Sequence, residues 1–181
     1  MEIKVVKRSS GQWKRLGTSQ LLTQLPLADE ETPFYPMAVR RRTPVNHNTY
    51  LIGLAHADAT YVSVPVGHHV RVARTIRGAE IVRSYTPVTP ALVGPPPAGW
   101  EASPNFLTLM VKSYPEGAMS SWLAAVAEGE LVQVSPPTGS FSTQAIVDQR
   151  RTGLYLIAAG TGFTPMVGVI AWARRQPATR W

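Results

Sequence analysis

Three short runs hold residue types that could grip a phosphorylated, aromatic cofactor. The first is Arg83-Ser84-Tyr85-Thr86-Pro87. An arginine fork can neutralise a diphosphate, a tyrosine offers an aromatic face with a hydroxyl at its tip, and a threonine adds a small donor. A flavin dinucleotide needs those groups at its diphosphate, its ring and the ring nitrogens that change protonation on reduction. An ordinary strand end with a Thr-Pro turn would use the same residues. The second run, Pro115-Glu116-Gly117-Ala118-Met119-Ser120-Ser121, is a glycine turn entering a helix. Exposed N–H groups at a helix N-terminus suit an anion, and Gly117 lets the backbone come close. A plain capped helix reads equally well there. The third run, Ala159-Gly160-Thr161-Gly162-Phe163-Thr164-Pro165, lies between an apolar run and a helical stretch. In that setting glycines bring a backbone against a dinucleotide. Pro165 stands where the last glycine of the six-residue fingerprint would be, so a tight strand-to-helix turn is the alternative.

The elements that must position these runs are mostly short strands. Strand signals cover 37–42, 49–55, 69–76, 80–85, 106–112, 131–135 and 140–146. Gly67, Arg77-Gly78, the prolines at 87–90, Pro95-Pro96-Pro97 and Pro136-Pro137 separate them. The fold class this predicts is mainly β, an antiparallel barrel over residues 37–148. One helix interrupts it. Met119, Trp122, Leu123 and Val126 share a face, Ser120 is the expected N-cap, and Gly129 sits where a glycine would end the helix.

Beyond residue 148 the period changes. Leu154-Tyr155-Leu156-Ile157-Ala158-Ala159 is a continuous apolar run, as in a strand buried on both faces of a parallel sheet. A helix over 164–175 follows, with Pro165 suited to its first turn. Residues 149–181 therefore read as the first βα unit of a truncated α/β domain, because a parallel sheet needs further strands and crossovers. Without them, Val167, Ile170 and Trp172 are expected to remain partly exposed. At the other end, residues 3–7 read as one strand and 18–36 as a linker, rich in acidic residues and proline.

Composition narrows the function classes. The 181 residues are 44% hydrophobic and 16% charged, the balance of a packed domain rather than a disordered chain. A net charge of +7 fits either an anionic partner or a basic, inert surface. The chain has no cysteine, which removes disulfides and thiolate metal sites. No apolar stretch reaches the roughly 20 residues of a membrane-spanning helix. His47, His56 and the adjacent His68 and His69 make no metal set and read as structural or surface histidines.

Taken together, the runs RSYTPV, VKSYPEGAMSSWL, GELVQVSPPTGSF and LIAAGTGFTPM resemble the cytochrome b5 reductase family of the ferredoxin reductase-like superfamily. VPVGHHVRV is similar to the barrel strand that usually carries Gly-Gln-His there, with His68 in place of glutamine. The resemblance spans about residues 37 to 175. EIKVVKRSSGQWKRLG is similar to the closing strand of the CS domain in proteins that fuse a cytochrome b5 heme domain, a CS domain and a reductase. Residues 1–17 would then be the tail of a CS-like domain, and the chain an internal slice of such a fusion.

The resemblance implies FAD and NADH or NADPH as cofactors, with the nicotinamide site incomplete. It implies hydride transfer from nicotinamide to FAD, then electrons to a cytochrome b5-type heme protein or domain, without nucleic acid. It also implies a cytoplasmic setting, at the cytosolic face of the endoplasmic reticulum. By the family's motifs, Arg83 would bind the diphosphate, Tyr85 would pack on the flavin, and Ser84 and Thr86 would flank them. Lys112 would serve NADH recognition and Tyr114 FAD. Gly117, Ala118, Met119 and Ser120 would form the diphosphate turn, with Ala118 replacing the usual lysine. Gly160, Thr161 and Gly162 would form the glycine-rich turn, and Thr164 and Pro165 would lie where nicotinamide meets flavin. No residue is expected to act as a catalytic acid or base, and no metal is expected. A non-catalytic flavin-binding or interaction module is the competing expectation.

Overall fold

Alternating burial along the strand runs builds one antiparallel sheet with its own core. The computed structural model describes residues 33–56, 62–89, 106–148 and 153–176. The expected strand at 3–7, most of the linker and the triple-proline run lie outside those residues. Among the described residues six strands form: β1 (Tyr35–Asn46), β2 (Thr49–His56), β3 (Val70–Ile76), β4 (Ala79–Tyr85), β5 (Leu107–Lys112) and β6 (Leu131–Val134). Their order is β4-β3-β6-β1-β2-β5, so β6 returns from far along the chain to pair between β3 and β1. Every pairing is antiparallel, and this return is a Greek-key crossing. β1 starts at Tyr35 and runs four residues beyond the expected end.

The inward side chains Val39, Ile52, Leu54, Val70, Val72, Leu109, Val111 and Val132 are almost fully buried. Each contributes about 1.5–3 kcal/mol by leaving water. Helix α1 (Ala118–Ala125) adds Met119 and Leu123 to the same core, followed by Val126. It packs on β5, β3 and β4. Since β4 and β5 are the two outer strands, α1 spans the opening that a sixth ladder would otherwise close. The tight connection between β3 and β4 uses Arg77 (φ 52°) and Gly78 (φ 78°), the two left-handed residues that a two-residue hairpin turn requires.

Three expectations change in the fold. The segment 140–146 is not a strand: Thr143–Asp148 forms a short, exposed helix, α2. β6 already has β3 and β1 on its two sides, so the chain after it cannot pair back onto β6. Phe141 instead folds onto Gly67, where an added Cβ would collide with the Phe141 ring. The run 154–159 makes no strand pairing among the described residues. Only Leu154, Leu156 and Ala158 are partly covered, while Tyr155 is 93% and Ile157 85% exposed. An apolar run becomes a doubly buried strand only between neighbours, and the described residues supply none. Helix α3 (Phe163–Arg174) nevertheless finds a place. Val167 is buried against Leu51 of β2 and Val88, next to Phe106 and Met110 on the outer face of the barrel. Its expected exposure is therefore corrected, whereas Ile170 and Trp172 are half-covered.

Candidate functional site

Strand pairing decides which side Arg83 and Tyr85 occupy. In the β3–β4 ladder, Arg83 lies opposite Val72 and Tyr85 opposite Val70. Directly opposed residues share a face. Both side chains therefore stand on the core face of β4, at the sheet's open edge, where α1 packs. Ser84 points the other way, opposite Arg71. Arg83 is exposed, and its one side-chain hydrogen bond among the described residues runs from Nη1 to the carbonyl of Val82, at 2.8 Å. Its guanidinium thus keeps most of its donors for a ligand. Tyr85 packs its ring on the core. Burial pushes its phenol up to about 12, against a smaller downward pull from Arg83.

The turn into α1 is built around Gly117. Its N–H donates to Tyr114 O at 2.9 Å, and Ser121 N–H makes the first helical bond to Gly117 O at 2.8 Å. A Cβ at Gly117 would meet Ser120 Oγ, so a larger residue there would have to turn the Ser120 hydroxyl out of the turn. Ser120 is not the N-cap. The helix starts at Ala118 with Gly117 at the cap position, and no side chain caps it. The Ser120 hydroxyl is used inside the turn: it accepts from Tyr114 N–H at 3.3 Å and donates to Gly117 O at 3.1 Å. Ser121 Oγ donates to Tyr114 O at 2.7 Å. Among the described residues the N–H groups of the first turn consequently take neither an intrahelical acceptor nor a side-chain cap, the condition that favours an anion. Lys112, at the end of β5, holds its ammonium 5.4 Å from the Tyr114 ring centroid. Tyr114 itself is 42% exposed. Lys112 and Tyr114 are thus joined to Gly117 and Ser120 in one corner.

Thr86 belongs to a second feature. It lines a cavity of about 380 Å³ between the barrel and α3, together with Val64, His68, Thr89, Phe106 and Arg175. Sequence reasoning missed His68, Thr89 and Arg175 as cavity residues, because only the docking of α3 brings them together. His68 was expected to be structural or at the surface; its neighbour His69 keeps a structural role, with Nε2 3.2 Å from Thr138 Oγ1. Burial, helped by His68 and Arg71, lowers the His69 pKa below its ordinary 6.5. The described residues contain no group of side chains suited to a metal ion.

The glycine-rich turn does not line the cavity. Gly160 has φ +54°, a left-handed conformation that glycine adopts without strain, and Gly160–Gly162 form a single 3-10 turn. Thr164 Oγ1 donates to Thr161 O at 3.0 Å, tightening the entry to α3. Pro165 occupies the first turn, where no N–H is needed. None of Gly160, Thr161, Gly162, Thr164 or Pro165 lines the cavity, which α3 meets through Gly168, Ala171 and Arg175.

The donor set fits a dinucleotide diphosphate and a flat aromatic ring: a fork on β4, an uncapped helix start, a glycine that admits close approach, and a tyrosine at the barrel edge. Cytochrome b5 reductase 4 of Xenopus tropicalis is 32% identical over 172 residues, covering 94% of this chain and 32% of the relative. NADH-cytochrome b5 reductase 1 of Pyricularia oryzae is 30% identical over 148 residues, covering 78% of this chain and 43% of the relative. The chain thus spans less than half the length of these relatives. Among solved structures, the CS-b5R domains of human Ncb5or in the NAD+ form superpose with a TM-score of 0.69 at 31% identity, covering 83% of this chain and 42% of that one. The cytochrome b5 reductase domain of Ulva prolifera nitrate reductase shares the fold, with a TM-score of 0.58 at 21% identity over 80% of this chain and 58% of that one. Since the oxidoreductase FAD-binding domain family matches residues 36–143, the whole barrel with both of its candidate anion-binding groups, this chain belongs to that family, among its cytochrome b5 reductase-like members.

Proposed function

We propose that the chain holds FAD along the open edge of its barrel and serves as the flavin part of an NAD(P)H-dependent, cytochrome b5 reductase-like oxidoreductase that passes electrons to a heme protein. The observation that carries this reading is the pairing of Arg83 with Val72 and Tyr85 with Val70, which turns both side chains toward α1. Arg83 would meet the diphosphate from the strand side and the N–H groups of 118–120 from the helix side. Tyr85 would lie against the flavin ring, with the Thr86 hydroxyl near its edge. Bound FAD supplies hydride acceptance and one-electron release. The protein's residues bind, orient and shield, and none is required to move a proton. With alanine at 118 the diphosphate has one cation fewer, so Arg83 carries more of the neutralisation. Lys112, close to the ring of Tyr114, is the group offered to a nicotinamide nucleotide. The same reading places the protein in the cytoplasm, at the cytosolic face of the endoplasmic reticulum, with 1–17 as the tail of a CS-like domain.

The direct test is to add FAD to the purified chain and record the visible spectrum and flavin fluorescence. Stoichiometric binding with a shifted flavin band supports the reading; no binding at micromolar FAD removes it. A second reading, a flavin-binding module without catalysis, is favoured by the 154–159 run, which pairs with no strand among the described residues and leaves Tyr155 and Ile157 exposed. Hydride transfer needs nicotinamide and flavin within roughly 3–3.5 Å, held by contacts remote from the reacting atoms. Stopped-flow mixing with excess NADH separates the two readings: flavin bleaching at a reductase-like rate supports the first, and a lasting oxidised spectrum the second.

A further inference from the structure

The far end of α1 is fastened to the sheet by Arg42, and we infer that Arg42 is a positioning residue for the diphosphate site at the near end. The inference rests on the reading of the first turn of α1 given above. Arg42 Nε donates to Ala124 O in the last turn of the helix, at 2.5 Å. Its guanidinium lies 4.3 Å from the ring centroid of Tyr50, which packs against the core from β2. Its backbone N–H donates to Glu128 Oε1 at 3.2 Å, just beyond the helix. The fastening continues along β1, where Gly129 N–H donates to Val39 O at 2.7 Å and Val39 N–H to Glu130 O at 2.9 Å. Arg74 of β3 adds a more exposed point, 4.7 Å from the Trp122 ring centroid and 3.3 Å from Glu130 Oε1.

This arrangement matters because α1 has only eight residues. A helix of that length does not hold itself together in water. Met119 and Leu123 set how deeply it sits, but apolar contact is non-directional and leaves rotation and axial slide loosely fixed. A planar guanidinium held between an aromatic ring and a carbonyl is directional. The same cation complements the negative end of the helix dipole, leaving the positive end for an anion. With no lysine at 118, the diphosphate depends on backbone donors, whose bonds weaken steeply once distance or angle drifts. Among the described residues the hydrogen bonds and ring contact of Arg42 go to Ala124, Glu128 and Tyr50 and to no residue of that turn, so its effect there passes through the helix.

The test uses the whole chain, with dissociation constants for FAD and for riboflavin, which has no phosphate, measured by flavin fluorescence. Arg42→Ala is expected to weaken FAD about tenfold and to leave riboflavin within about twofold. Arg42→Lys, which keeps the charge but loses the planar fork, should recover part of the loss. Riboflavin binding also reports that the barrel has folded. Equal weakening of both ligands, or FAD binding unchanged, overturns the inference. Should Arg42→Ala not fold, Arg42→Lys and Arg42→Gln carry the test, and an unchanged ratio of the two constants in both overturns it. A wild-type chain that binds FAD no more tightly than riboflavin would instead remove the diphosphate site itself, and the proposed function with it.

Discussion

Replacing Arg83 by alanine separates a ligand-binding arginine from a structural one. Among the described residues the side chain makes one hydrogen bond, to the neighbouring Val82 carbonyl, and no ion pair. Removing it should change the stability of the apoprotein by no more than about 0.5 kcal/mol, the usual effect of an exposed substitution. Against a bound diphosphate the same side chain would make charge-assisted hydrogen bonds, each contributing about 1.5–3 kcal/mol. Because Arg83 is exposed, solvent and salt screening favour the lower part of that range. The expected loss of FAD affinity is therefore about 10- to 40-fold. Isothermal titration with FAD, run beside urea melts of the apoprotein, reads both quantities. A second consequence follows from the ladder: Arg83 pulls the Tyr85 phenol down, so its removal should push that phenol further up. Unchanged FAD affinity refutes the assignment. So does a loss of affinity matched by an equal loss of apoprotein stability, since the arginine would then be structural.

Gly67→Ala should destabilise the fold by about 2–4 kcal/mol, combining a left-handed alanine with overpacking against Phe141; urea denaturation checks this, and φ +79° is the reason for the first part. The Tyr85 phenol is raised on folding, so the stability it contributes is full below pH 10 and is lost as pH rises through about 12; a tyrosinate absorbance titration of wild type against Tyr85→Phe should lack the last step in the variant. His69 shows the opposite sign: its folded pKa is lowered, so stability is lost as pH falls below 6.5 and through the folded value, and His69→Gln should flatten that loss in melts between pH 7 and 5. Leu123→Ala, at 0% exposure on the buried face of α1, should cost about 2–5 kcal/mol and weaken FAD more than riboflavin, read by melts and fluorescence titration.

The sequence alone determined the strand-rich barrel, the helix carrying Met119 and Leu123, and the family. Each depends on local signals: period-2 runs between turn residues, a 3.6-residue stripe, and short motifs in fixed order. It also marked Arg83, Tyr85 and Gly117 by chemical type. Only the tertiary structure decided how they meet. The β3–β4 register turns Arg83 and Tyr85 to the α1 side and Ser84 away, and a shift of one residue would have reversed all three. The docking of α3 on Leu51 and Val88 buried Val167 and gathered Thr86, His68 and Arg175 around one cavity. Segment 140–146 alternates like a strand, yet β6 was already paired on both sides, and segment 154–159 is as apolar as a core strand, yet met no neighbour among the described residues. Local pattern states what a segment can become. Whether it does so depends on partners supplied from elsewhere in the chain, because hydrogen-bond ladders and buried faces need two sides.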